Sequence, residues 1–217
     1  MKEEENMANF EKAGKQQGLK LDARSIAQIG ILSGIAFLLM MFEVPLWFAP
    51  AFYKLDFSEL PVLIGGFALG PVAGILIELV KVTLYMLIHG SSTAGVGDLA
   101  NFLIGCSMVV PSAIFYKVHK TRRHAVIGLL LGSLFMIVVG SLMNAYVLLP
   151  VYAAAYHMPM DALISMGSVV NPSINSLSTF ILMAVAPFNL FKAVTVSCLT
   201  MLLYKRVSPI LHHTVGK

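Results

Sequence analysis

The chain has 217 residues, 58% of them hydrophobic and 12% charged, with a mean hydropathy of +0.82 and a net charge of +4. Soluble domains run at roughly 45–50% apolar and about 25% charged, so this charged share is too small to cover a water-facing surface. Apolar runs fill the chain from Ile26 to Tyr204, which excludes a soluble domain with one anchor and leaves a polytopic membrane protein of about five to seven spans.

The stretch 1–24 is polar, with Lys2, Glu3, Glu4, Glu5, Lys12, Lys15, Lys20 and Arg24, and reads as a cytoplasmic arm. Its first apolar run starts too late, and lacks the small-residue exit, for a cleavable signal peptide. A first helix is expected over Ile26–Phe42, after an Asp22 able to cap its start. A loop, Glu43–Glu59, follows with Trp47, Phe48, Phe52 and Tyr53. The apolar run Pro61–Ile88 is too long for one crossing, and Gly70-Pro71 divides it into two helices with almost no loop between them. A fourth helix is expected over Asp98–Tyr116 and a fifth over Ala125–Leu149. The Asn-, Ser- and Pro-rich stretch Pro150–Ser178 reads as polar connection, and a sixth helix covers Thr179–Tyr204. The domain division is thus the arm 1–24, an all-α membrane domain 25–206, and a short cytoplasmic tail 207–217.

Lys and Arg test this count. With six spans and the N-terminus inside, the cytoplasmic segments hold Lys2, Lys12, Lys15, Lys20 and Arg24, then Lys117, Lys120, Arg122 and Arg123, then Lys205, Arg206 and Lys217. The outer loops hold only Lys54, while Lys81 and Lys192 fall inside helices. Fusing the second and third helices would put Lys117–Arg123 opposite the N-terminus, against the positive-inside rule. The same rule gives the basic pI of 9.1 a topological reading in place of a nucleic-acid one.

Catalytic and metal motifs are missing. There is no GxxxxGK[ST] loop, HExxH or GxSxG, and the six His are scattered, with only His212-His213 adjacent in an expected tail. Cys106 and Cys198 lack a CxxC partner and read as small buried side chains. Neither an enzyme nor a metal protein is implied. Glycines four apart (Gly30/Gly34, Gly66/Gly70/Gly74, Gly128/Gly132) allow close helix approach. The later ones read as internal packing, and the pair in the first helix as a face for another membrane protein.

Charges at bilayer depth cost at least roughly 2.5–3.5 kcal/mol each, so each needs a reason. Glu78 and Lys81 stand three apart and can neutralise one another. Lys192 has no carboxylate within a helical turn, but Asn189 precedes it on the same face, just after Pro187. Asn144 lies late in the fifth helix, and Asp98 and Asn101 open the fourth. By the topology these groups converge in the outer half, under the aromatic loop. A flat, amphipathic small molecule with hydrogen-bonding edges suits such a site.

The segment from Lys54 to Gly66, KLDFSELPVLIGG, resembles the riboflavin-specific S component of energy-coupling factor (ECF) vitamin transporters. The resemblance continues through ALGPVAG (68–74), GDLANFLIG (97–105), NAYVLLP (144–150) and APFNLFK (186–192), and covers about Ala23 to Arg206. It implies a six-helix bundle that holds riboflavin at its outer side under the first loop. Asn144, Asn189 and Lys192 would meet the polar ring edge, and Leu55 and Asp56 would supply lid contacts; Asn101 and Trp47, the latter by itself an interface anchor, join the candidate site from the convergence of polar and aromatic residues rather than from the resemblance. Ala27, Gly30 and Gly34 would dock on a transmembrane coupling protein driven by two ATPase subunits, in a bacterial cytoplasmic membrane. The vitamin is cargo, and no cofactor is implied. The stretch Tyr156–Ser178 is longer than the family pattern, which leaves selectivity among riboflavin, its analogues and FMN open. Two other readings stand beside this one: an S component for a different vitamin, and a self-sufficient secondary transporter using Glu78, Lys81 or Asp98 as an ion relay.

Overall fold

A computed structural model of the protein describes residues 22–91 and 93–212, with side-chain surroundings as far as Arg206. The expected arm up to residue 21, the basic residues it contributes, and the side chains of the tail, including the His212-His213 pair, lie outside the described residues. Helix α1 (Ala23–Met41) starts where the Ser25 backbone N–H donates to Asp22 Oδ1 at 3.0 Å, the expected cap. A two-residue ladder follows, β1 (Val44–Pro45) antiparallel to β2 (Lys54–Leu55). Helix α2 (Glu59–Leu69) ends at Gly70, whose φ of +101° only glycine adopts cheaply, and Pro71 opens α3 (Pro71–His89) at its first position. The break expected at Gly70-Pro71 is therefore real.

Helix α4 (Val96–Val118) begins two residues before the expected Asp98. Helix α5 (Arg122–Met143) passes through a π-turn, Asn144–Leu148, into α6 (Leu149–Ala155). The expected polar connection after Leu149 is thus partly helical, and it contains a second helix, α7 (Met160–Val170). The last span starts as α8 (Leu177–Phe180), passes a second π-turn, Ile181–Val185, and continues as α9 (Ala186–His212). Both π-turns precede a proline. Pro150 and Pro187 cannot donate to the carbonyls four residues back, Tyr146 and Met183, and both of those lie inside the widened turns.

Among the described residues, five helical stretches are long and apolar enough to cross a bilayer: α1, α3, α4, Arg122–Ala155 and Leu177–Arg206. The second expected span is α2, whose 11 residues rise only about 16 Å, against roughly 30 Å of hydrocarbon. Helix α2 is central instead: it packs against α1, α3, α4 and α9, and eight of its residues, Glu59 and Pro61–Phe67, are buried. A helix apolar on all sides belongs in such an interior.

The side chains facing away from this core are those of a lipid-facing surface. Ile31, Leu130, Leu182 and Leu202 are 64–70% exposed, whereas Ser33, Ser112 and Thr200 are fully buried. Ser33 and Ser112 each donate to the carbonyl four residues back at 2.7 Å, which removes the cost of burying a hydroxyl. The two cysteines depart from expectation: Cys106 is partly buried and Cys198 is exposed. In a bilayer the outer face is as apolar as the core, so an apolar run does not distinguish the two.

The later glycines serve the interior. A methyl on Gly132 would stand 2.3 Å from the Met108 carbonyl oxygen, and one on Gly74 would stand 3.4 Å from the Gly66 Cα. A methyl on Gly30 or Gly34 would meet nothing within 4 Å.

Candidate functional site

A cavity of about 960 Å³ opens between α3, α4, the two π-turn helices and the loop before α2. Its size lies near the upper end of small-molecule sites. From α9 come Phe188, Asn189 and Lys192; from α5 and the π-turn after it come Met136, Asn144 and Leu148. The loop contributes Phe52, Tyr53, Lys54 and Asp56, and the α3–α4 connection contributes His89, Ser91, Thr93, Gly97 and Asp98. Tyr152, Tyr156, Met158, Leu163 and Met166 line it from the segment around α6 and α7.

Five buried charged residues lie at and just behind the floor, Asp56, Glu59 and Lys192 lining it and Glu78 and Lys81 behind them. Lys192 Nζ donates to Asp56 Oδ2 at 2.7 Å, across 136 residues of chain, so Lys192 is not the unpaired cation expected from its helical neighbours. Asp56 Oδ1 accepts from the Ser58 backbone N–H at 2.8 Å and also from the Ser58 hydroxyl. Lys81 lies 2.6 Å from Glu78 Oε1, as the spacing implies, and also donates to Glu59 Oε1 at 3.0 Å and Ser58 Oγ at 3.2 Å. Glu59, expected as the last residue of the first loop, opens α2 and is only 1% exposed. The absent side chain of Gly105 makes room here, since a methyl there would stand 2.4 Å from Glu78 Oε1. Pairing is what makes such a set tolerable in an apolar interior.

Above the floor, the Tyr53 hydroxyl donates to Asn144 Oδ1 at 2.6 Å, and Asn144 Nδ2 donates to the Gly140 carbonyl at 2.8 Å. Burial holds the Tyr53 phenol well above its ordinary range, so it stays a donor. Asn189 Nδ2 donates to the Val185 carbonyl at 3.0 Å, a group inside the second π-turn. Each Asn is thus locked to the backbone of its own helix, with its orientation set before a ligand arrives. Phe52, Tyr53, Phe180 and Phe188 form a connected aromatic wall; Tyr53 lies 5.3 Å from Phe188 and 6.2 Å from Phe180 between ring centroids.

The structure brings together Asn144, Asn189, Lys192, Asp56 and Asn101, all on the cavity wall. The Asn101 Oδ1 is buried without a partner among the described residues. Leu55 is buried in the outer apolar cluster with Leu46, Tyr53 and Phe188, next to the wall but not on it. Trp47 is 80% exposed and away from the cavity, its ring edge-on to Phe48 at 5.4 Å. Ala27 and Gly30 are exposed and Gly34 partly so, on an open face of α1. Sequence reasoning missed Glu59 as a floor group and Tyr152 as a wall group. Glu59 lies within the quoted KLDFSELP segment, and that was its available signal.

A family model described as "ECF transporter, substrate-specific component" matches residues 24–204. The chain is 34% identical to the riboflavin transporter RibU of Staphylococcus aureus (strain TCH60) over 186 residues, 85% of this chain and 90% of that protein. It is 30% identical to the riboflavin transporter FmnP of Bacillus subtilis (strain 168), over 87% of this chain and 94% of that one. A solved structure of the S component of a bacterial ECF transporter superposes with a TM-score of 0.67 at 32% identity, covering 87% of this chain and 98% of that one. The five apolar helices among the described residues belong to a multi-pass membrane protein, and the chain is a member of the ECF transporter substrate-specific component family.

Proposed function

We propose that this chain is the membrane subunit that binds riboflavin and delivers it inward when docked on an ECF transmembrane coupling protein powered by two separate ATPase subunits. The observation that carries this reading is the cavity, where Asn144, Asn189 and Asp56-paired Lys192 stand beside an aromatic wall. Riboflavin is flat, uncharged and edged with imide and hydroxyl groups, the chemistry such a wall recognises. The named riboflavin transporters among its relatives support the same cargo. The chain acts by binding and transport, without catalysis, cofactor or metal, and it resides in a bacterial cytoplasmic membrane.

We infer six crossings with both ends cytoplasmic. Lys117, Lys120, Arg122 and Arg123 at the α4–α5 connection, with Lys205 and Arg206 late in α9, then lie on one side, and Lys54 on the other. The short α2 completes its crossing through the segment before it: Leu55, Asp56 and Ser58 are buried, and non-helical backbone is tolerated at membrane depth only where protein covers it. The open α1 face at Ala27, Gly30 and Gly34 is the docking face for the coupling protein.

The test is ligand capture. Protein purified in detergent from riboflavin-fed cells carries a flavin identifiable by mass spectrometry, and ligand-free protein quenches riboflavin fluorescence at one-to-one stoichiometry. A colourless preparation without quenching refutes the cargo. A panel of other vitamins then identifies a different one, and vesicle uptake driven by an ion gradient alone would establish a self-sufficient transporter.

A further inference from the structure

Helices α4 and α5 belong to adjacent spans joined only by His119–Thr121, so this connection lies at the membrane surface. Lys117, Lys120, Arg122 and Arg123 crowd onto it, and all but the partly buried Lys117 are exposed. The sequence has no Asp or Glu between Asp98 and Asp161, and none of the four cations makes an ion pair among the described residues. Arg122 and Arg123 also occupy the first turn of α5, which holds no acidic residue. The positive end of the helix dipole disfavours cations there. The positive-inside rule accounts for the side of the membrane these groups occupy, but not for their standing together without a counter-charge.

The hairpin beneath them is closely packed, so the cations are positioned before anything binds. Ser112 Oγ, on α4, donates to the Gly128 carbonyl of α5 at 3.0 Å, and a methyl on Gly128 would stand 2.7 Å from the Ser112 carbonyl oxygen. Thr121 Oγ1 caps α5 by accepting from the His124 N–H at 3.3 Å. From the arginines an apolar ridge runs along α5. Val126, Leu130, Leu134 and Val138 follow Arg122 at steps of one helical turn, and each is 41–65% exposed. From Val126 to Val138 the ridge rises about 18 Å, enough for an acyl chain in one leaflet of roughly 15 Å.

We propose that the α4–α5 hairpin is a binding site for one anionic phospholipid, its phosphate held by Arg122 and Arg123 and an acyl chain lying on the α5 ridge. Charge complementarity selects this occupant, because the cations lack a counter-charge and a phosphate accepts from both guanidinium forks. Lys117 and Lys120 add to the attraction. Continuity of the basic end with the apolar ridge favours a lipid over a free anion. The site and the open α1 face belong to different elements: α1 packs on α2 and α3, whereas α5 packs on α4 and α9. The lipid therefore stays in place while a coupling protein docks on α1.

The test is native mass spectrometry of the full chain in detergent, with phosphatidylglycerol and phosphatidylcholine of identical acyl chains at matched concentration. Wild type is expected to retain one phosphatidylglycerol per chain and to prefer it by about tenfold or more, since each surface cation contributes roughly fivefold. Arg122→Gln/Arg123→Gln lowers that preference at least about fivefold, while Lys205→Gln/Arg206→Gln, which removes the same charge from α9, leaves it within about twofold. Unchanged far-ultraviolet circular dichroism reports that each variant is folded. Equal retention of the two lipids by wild type, or a preference unmoved by the arginine pair, overturns the proposal. An equal loss in both double variants also overturns it, because a diffuse field and not a site then attracts the lipid. Displacement of phosphatidylglycerol by an equal concentration of inorganic phosphate makes the ligand a free anion and sinks the lipid assignment. Intact lipid preference with lost co-purification of the coupling protein in the arginine variant gives the patch to an acidic protein surface instead.

Discussion

Removing Asp56 tests whether the floor is held by pairing. Lys192 Nζ has Asp56 Oδ2 as its acceptor at 2.7 Å, and both side chains are 8% exposed. Asp56→Ala leaves that ammonium buried with no acceptor and also deprives Ser58 of a partner, so the expected loss is about 4 kcal/mol, within the range for breaking a buried pair. Lys192→Met costs less, about 3 kcal/mol, because Asp56 keeps two donors from Ser58 and the nearby Lys81. The double variant Asp56→Ala/Lys192→Met leaves neither charge of the pair unmatched and is expected to lose only about 2–3 kcal/mol, well below the sum of the single losses. The assay is unfolding of ligand-free protein in detergent, followed by far-ultraviolet circular dichroism, with the four proteins forming a thermodynamic cycle. A double variant that loses the sum of the single losses would refute the reasoning, because the two charges would then not be stabilising one another.

Other expectations concern packing and the ligand. Gly132→Ala drives a methyl into the Met108 carbonyl and should destabilise by roughly 1–3 kcal/mol despite the better helix propensity of Ala; a gain in stability would show that α4 and α5 are not in close contact. Gly34→Leu, on the open α1 face, should change stability by less than about 0.5 kcal/mol while abolishing co-purification with the coupling protein; retained co-purification moves the docking face elsewhere. Tyr53→Phe removes the 2.6 Å bond to Asn144 and should cost about 1 kcal/mol, seen as riboflavin release roughly fivefold faster in stopped-flow fluorescence. Asn189→Ala should weaken riboflavin binding at least about fivefold in the quenching titration, and unchanged affinity would place the ring edge away from α9.

Local features of this chain were legible because their causes are local. Gly70-Pro71 breaks a helix through its own two residues, Asp22 caps the turn beside it, and Glu78 meets Lys81 one turn away. Asn144, Asn189 and Lys192 could be singled out because polar groups in apolar runs need a reason. Their partners could not, because Asp56 reaches Lys192 from another element entirely. The reading of Glu59 as loop failed for the same reason: a carboxylate two residues before a proline reads as connection until α3 brings Lys81 against it. The helices within Pro150–Ser178 were hidden by their Pro, Ser and Asn content. The π-turn before Pro150 lets the chain carry on as α6 without the missing donor.

The two π-turns also restrict how these helices can vary in length. Each holds one residue more than an α-turn, so everything beyond it is rotated by about 100° relative to an uninterrupted helix. Phe180 reaches the aromatic cluster with Tyr53 while Asn189 and Lys192 reach the cavity wall only with that extra residue between them. Deleting one residue from Ile181–Val185 would leave every side chain chemically intact and turn the Lys192 face away from Asp56. Most spans of this protein can exchange one apolar residue for another, but in these two the residue count itself carries information, and a frame-preserving deletion there is expected to be more damaging than most substitutions.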